Sequence, residues 1–202
     1  MLQKNAVQPR LLELLNFLMS HESLSGLNLV GGTALALYEG HRLSVDIDLF
    51  GDVELNNEHL LDLLNQFGEV QVISISPKIL IYSVDNIKVD FVSYSYQLLE
   101  SVNIYEGIRL VSMKDIAAMK LNAIAGRGSK KDFIDFYQLL NDFDLRQMMN
   151  FYLKKYPNGS EFLVLKSLLY FDDADIEPDP IYIKKFSWTD VKKEVIEVVK
   201  KY

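Results

Sequence analysis

An α/β fold, a mixed sheet flanked by helices and followed by a helical C-terminal half, is predicted by three observations. β-rich runs crowd the first 110 residues, and turn signals separate them. After residue 110 the hydrophobic period changes from two to that of a helix and stays there. In order, residues 8–20 predict a helix with Leu11, Leu12, Leu15, Phe17 and Leu18 on its buried side. Strands are predicted at 27–31 and 44–50, separated by a short helix over Thr33–Tyr38 that Gly31-Gly32-Thr33 opens. Residues 58–67 read as an amphipathic helix with Asn56 or Asn57 as its N-cap. Val70–Ser76, Ile79–Val84 and Ile87–Tyr94 are β-rich, and Asp85-Asn86 reads as a tight hairpin turn between the last two. Ile108–Leu110 adds a short edge strand.

In the second half Ser112 is placed to cap a helix over Met113–Ile124, and Gly126-Arg127-Gly128-Ser129 breaks it. Ser129 then caps Lys130–Leu140, whose buried stripe is Phe133, Phe136, Tyr137 and Leu140. Helices are also expected at 144–155, 159–170 and 189–200, with Glu177-Pro178-Asp179-Pro180 as a linker before the last. There is no internal repeat. The expected organisation is an α/β core over 1–110 and a helical domain over 111–202.

With 49% hydrophobic and 24% charged residues, the 202-residue chain has the composition of a globular protein with a substantial core. It has no Cys, which removes disulfides and thiolate metal sites from consideration. The N-terminal segment is amphipathic and charged, unlike a signal peptide, and no apolar run approaches membrane-spanning length. A cytoplasmic address is expected. The net charge of −7 argues against a general polyanion binder. Yet Arg109, Lys114, Lys120, Arg127, Lys130 and Lys131 fall in one segment with few acids between them, either a local basic groove or a solvated helix face.

The chemistry is concentrated in Val30–Phe50. Asp46 and Asp48 lie two apart on a predicted strand, so both carboxylates leave one face, while Val45, Ile47 and Leu49 point to the core. Paired acids repel, and a divalent metal gives a reason to keep them. Asp90, in Ile87-Lys88-Val89-Asp90-Phe91-Val92, is the expected third acid, since Asp90 alternates with the apolar positions. Three such carboxylates suit a two-cation phosphoryl-transfer site. Gly31 and Gly32 permit close approach of a phosphate to the following helix N-terminus, Thr33 adds a hydroxyl, and Arg42 adds positive charge. Ser44 either hydrogen-bonds beside the metal site or begins the strand. His41, beside Arg42, is placed to touch nucleotide. The Ser residues have no His partner at recognisable spacing, so nucleophilic hydrolysis is not expected.

GGTALAL, GHRLSVDIDLF and MKDIAAMKLNAIAGRGSKKDFIDFYQLL together resemble the AbiEii/AbiGii-type toxin nucleotidyltransferases of the polymerase-β-like superfamily. The resemblance covers roughly residues 27–140 in order. It departs from the usual Gly-Ser phosphate turn, which here is Gly32-Thr33. It implies transfer of a nucleoside monophosphate from an NTP with Mg²⁺ or Mn²⁺, often to RNA such as the tRNA 3′ end. A role as a toxin beside an antitoxin, or in abortive infection, is also implied. By the same resemblance Lys120 contacts the NTP phosphates, and Asp132 and Asp135 lie near the nucleotide or support Lys120. At i, i+3 those two acids share one helix flank, and Asp132 also fits a first-turn acid; Asp132 is ranked above Asp135. The expected catalytic set is therefore Asp46, Asp48, Asp90 and Lys120, with the first three as metal ligands. Gly31, Gly32, Thr33, Arg42, Ser44, Lys120, Asp132 and Asp135 are expected to bind the nucleotide. Two rival readings keep the pocket: transfer to a protein hydroxyl, or a catalytically silent NTP-binding module.

Overall fold

The computed structural model describes residues 1–202. Helix α1 (Pro9–Ser20) leads into strand β1 (Asn28–Leu29), then helix α2 (Gly31–Glu39) and strand β2 (Asp46–Gly51). Helix α3 (Asn57–Leu64), N-capped by the Asn56 side chain, precedes strands β3 (Val70–Ile75), β4 (Ile79–Val84) and β5 (Ile87–Ser93). Asp85 and Asn86 both take positive φ (48° and 66°), the geometry of a two-residue hairpin turn matched to strand twist. Strand β6 (Asn103–Tyr105) was not expected, because three residues are too few to show a period. It pairs antiparallel with strand β7 (Ile108–Leu110) across a second positive-φ turn at Glu106-Gly107.

The seven strands form one mixed sheet in the order β3-β4-β5-β2-β1-β7-β6. The central pair, β2 and β5, is parallel and sets Asp46 beside Lys88 and Asp48 beside Asp90. Ile47, Leu49, Val89 and Phe91 alternate with these residues and are fully buried, so the core fixes which face the acids take. Val45 departs from the expected alternation: it is exposed, because β2 begins only at Asp46. In α1, Leu14 joins Leu11, Leu15 and Leu18 in the core, whereas Leu12 and Phe17 are half-buried.

Helices α4 (Met113–Gly126), α5 (Lys130–Leu139), α6 (Leu145–Lys155), α7 (Glu161–Leu168), the short α8 (Asp172–Asp175) and α9 (Trp188–Lys201) complete the chain. Ser112 caps α4 through the Asp115 amide, and Asp144 makes a reciprocal capping box with Gln147 on α6. Helix α5 is buried on more than its apolar stripe: Asp132, Asp135 and Gln138 are enclosed along with Phe133 and Phe136, while Tyr137 and Leu140 are only half-buried. A continuous cluster of 48 buried residues joins the sheet to α4–α9.

The Pro-rich segment at 177–180 is bound to the body rather than spanning a gap. Glu177 accepts a hydrogen bond from the first amide of α5, and Leu43 donates its N–H to the Ile181 carbonyl. A bridge between Arg42 and Tyr182 continues this attachment. The segment forms a strap across the chain between α2 and β2 and the start of α5, beside the site described next.

Candidate active site

The carboxylates of β2 and β5 open into a cavity of about 660 Å³. Asp46, Asp48 and Asp90 line it from the sheet, Gly32 and Thr33 from α2, and Lys120 and Asp132 from α4 and α5. Arg42 and Ser44 line it from the segment between α2 and β2. Gly31 and Asp135 stand just behind this wall, in contact with residues that form it. The structure thus brings the predicted set to one place, though not always in the predicted posture.

Helix α2 begins at Gly31, two residues earlier than expected, and its first turn has no side-chain cap. Its first amides therefore remain available to an anion. The glycines also serve their protein neighbours. Gly31 adopts φ +70°, and a Cβ there would stand 2.7 Å from Asp48 Oδ2. At Gly32 a Cβ would collide with the Arg42 guanidinium. The Thr33 hydroxyl, expected to face phosphate, is instead buried against Ser44 Oγ (2.8 Å) and the Asp46 carbonyl. Thr33 and Ser44 consequently tie α2 to the entry of β2.

Behind the pocket lies a buried ionic cluster. Asp135 accepts Arg42 Nε (2.7 Å) and Nη2 (2.8 Å) as a fork, bonds His41 Nε2 (2.8 Å) and pairs with Lys120 Nζ (2.6 Å). Asp132 accepts Lys120 Nζ (3.0 Å), Arg127 Nε (2.8 Å) and Ser129 Oγ (2.8 Å). Ser129 therefore serves Asp132 and not the α5 backbone. Burial by itself would raise both carboxyls, but Arg42 and Lys120 hold Asp135, and Lys120 and Arg127 hold Asp132, well below the ordinary range. Burial would likewise lower Lys120, and the two acids outweigh it, so the ammonium stays charged. An ammonium has three hydrogens, and two are taken by Asp132 and Asp135, which leaves one for the cavity. The two acids act through Lys120 and Arg42. Both acids are fully buried, and Asp135, ranked second from the sequence, is the one that holds both Arg42 and Lys120.

Asp48 is half-buried at the cavity wall, and burial followed by the adjacent Asp90 pushes its carboxyl up to about 6. The site thus calls for positive charge. As the side chains lie, no three carboxylates converge on one point. Lys88 Nζ meets both oxygens of Asp90 (2.6 and 2.5 Å), and Lys131 Nζ approaches Asp46 at 3.5 Å. All-oxygen donors, a carboxyl raised by its neighbours and ammonium groups standing at two of the acids fit a divalent cation.

Several expectations are revised. His41 is buried against Asp135 and does not reach the cavity. The basic segment is not one groove. Arg109 donates to the carbonyls of Met19, Leu24 and Leu27, and Lys114 pairs with Glu100. Lys130 is spent on the strap, at the Glu177 carbonyl and Asp179. Lys120, Arg127 and Lys131 remain at the cavity. Lys88 and the strap residues Glu177, Asp179 and Ile181 also line it and were not foreseen. The alternation of Lys88 with Asp90 was legible, whereas the strap is a long-range contact with no local signal.

An uncharacterised protein of Aquifex aeolicus (strain VF5) is 38% identical over 186 residues, covering 86% of each chain. Among solved structures, JHP933 from Helicobacter pylori is similar over 100% of this chain and 93% of its own, with a TM-score of 0.61 at 18% identity. The nucleotidyltransferase toxin MenT4 of Mycobacterium tuberculosis H37Rv is similar over 96% and 83%, with a TM-score of 0.57 at 15% identity. These low-identity structures share the fold. The family described as nucleotidyl transferase AbiEii toxin, type IV TA system, matches residues 17–199, a span holding the whole acidic face, the glycine turn and the Lys120 cluster. With that match across nearly its full length, the chain belongs to the AbiEii nucleotidyltransferase toxin family.

Proposed function

We propose that this nucleotidyltransferase moves a nucleoside monophosphate from an NTP to a hydroxyl of RNA, the 3′ end of tRNA, using Mg²⁺ or Mn²⁺. The observation that carries the reading is the β2–β5 register, which places Asp48 beside Asp90 at a cavity that charged Lys120 also lines. A divalent cation held by Asp46, Asp48 and Asp90 would supply charge for the triphosphate and acidify the attacking hydroxyl. Gly32 and the open first turn of α2 receive the phosphate tail, and the free hydrogen of Lys120 donates to its oxygens. Asp90 accepts the proton of the acceptor hydroxyl. The hydroxyl oxygen bonds to the α-phosphorus, the bond to the bridging oxygen breaks, and pyrophosphate leaves. Arg42, clamped by Asp135, keeps a fixed positive charge at the pocket.

RNA is favoured as acceptor because Arg127 and Lys131 present largely exposed cations at the cavity, suited to backbone phosphates. The cytoplasm is the proposed place of action, and no helix is long and apolar enough to cross a membrane. A cognate antitoxin is the proposed genetic partner, acting against toxicity caused by the modified RNA. Incubation with each labelled NTP, Mg²⁺ and total tRNA tests the reading. Label is expected in tRNA with wild-type protein and not with Asp48→Ala. Label on a co-expressed protein with none on RNA would replace the acceptor.

A further inference from the structure

Lys88 stands within the acidic face, and the chemistry above leaves it unused. In the β2–β5 register Asp46 faces Lys88 and Asp48 faces Asp90, so four side chains of one face form a two-by-two square of three acids and one base. The ammonium meets both carboxylate oxygens of Asp90, the posture of a cation seated on a bidentate ligand. It reaches Asp90 from the open side: the Lys88 side chain is 43% exposed and that of Asp90 only 17%. Lysine is a compact charge on a flexible stem, so it can leave without disturbing the core. An ion pair whose ammonium is this open to water is weakly held, a small barrier to a doubly charged ion. With Asp90 held in this way, the three acids do not converge as the side chains lie.

We infer that Lys88 occupies the cation-facing side of Asp90 until a divalent metal displaces it, and that the freed ammonium then contacts the triphosphate of the incoming NTP. The inference rests on reading Asp46, Asp48 and Asp90 as metal ligands. Lys88 is a positioning residue for the empty site and a substrate contact in the loaded one. This couples the two ligands, since metal entry creates a phosphate donor that is otherwise engaged.

The test uses full-length protein with Mn²⁺ alone as probe, its free concentration read by electron paramagnetic resonance. Ionic strength is held near 0.15 M, where fields beyond about 8 Å are screened. Lys88→Gln is expected to bind Mn²⁺ about three- to tenfold more tightly than wild type, as loss of one contacting charge predicts. At saturating Mn²⁺ the same variant is expected to bind a non-hydrolysable NTP analogue more weakly by a similar factor, and Lys88→Arg to restore nucleotide binding. Unchanged or weaker Mn²⁺ binding by Lys88→Gln, with Asp48→Asn abolishing it, overturns the inference and leaves the metal site standing. Mn²⁺ binding that Asp48→Asn does not alter overturns both. Tighter Mn²⁺ binding with unaltered nucleotide binding overturns the transfer of Lys88 to the triphosphate.

Discussion

Asp48 lines the cavity half-buried and Asp135 is fully buried behind it, and their surroundings assign the two carboxylates opposite behaviour. Asp48 faces another acid and is raised to about 6, whereas Asp135 is gripped by Arg42, Lys120 and His41 and is held far below the usual range. The first is a site that calls for a cation, and the second is a site already supplied with cations. Replacing Asp48 by Asn is expected to lower transfer at least about 10²-fold while leaving the urea midpoint nearly unchanged, because its neighbour Asp90 then meets less repulsion. Replacing Asp135 by Ala should act the other way round. It strands Arg42 and Lys120 in the core and is expected to cost about 3–5 kcal/mol in urea unfolding. A loss of activity without a loss of stability in Asp135→Ala would contradict its place in the buried cluster.

At the scale of elements, the turn into α2 has two duties. It leaves the first amides of the helix open, and its missing side chains admit Asp48 and Arg42 to positions a Cβ would take. Gly31→Ala meets both a positive φ and the Asp48 carboxylate, so a stability loss of about 1–2 kcal/mol is expected from the backbone alone. Displacement of Asp48 should add a drop in transfer larger than that loss explains, seen by comparing kcat with the thermal midpoint. The same turn shows how far local reading extends. The glycine pair and the alternating acids were visible in the chain, whereas the role of Thr33 was not, since its partners Ser44 and Asp46 lie across α2. The strap shows the limit more sharply: Glu177-Pro178-Asp179-Pro180 carries only breaker signals, and its attachment to Leu43 and Lys130 depends on contacts over 40 residues away.

Across the whole molecule, a continuous core joins sheet and helices, and Trp188, the only tryptophan, packs between Phe133 and Phe171. Unfolding followed by Trp188 fluorescence and by far-ultraviolet circular dichroism is therefore expected to coincide, and separate transitions would show that the helical half unfolds independently. The pH dependence follows from the buried cluster. Asp132 and Asp135 have folded values below the ordinary 3.8, so their stabilisation is present above 3.8 and is lost as pH falls below it. The thermal midpoint should drop on acidification toward and below pH 4, and Asp135→Asn should flatten that part of the curve.

The sequence by itself determined most of the element types, the alternation that puts Asp46 and Asp48 on one face of their strand and sets Asp90 opposite the apolar positions of its own, and the family. Each of these is a matter of local period and motif. Tertiary structure decided the rest: that β2 and β5 are parallel partners in a register pairing Asp48 with Asp90, and that Asp135 is shared by Arg42 and Lys120. It also decided that Lys88 closes the acidic square. Periodicity fixes which way a side chain leaves its strand, while register and helix packing fix what it meets, and only those long-range pairings turn separate charges into a site.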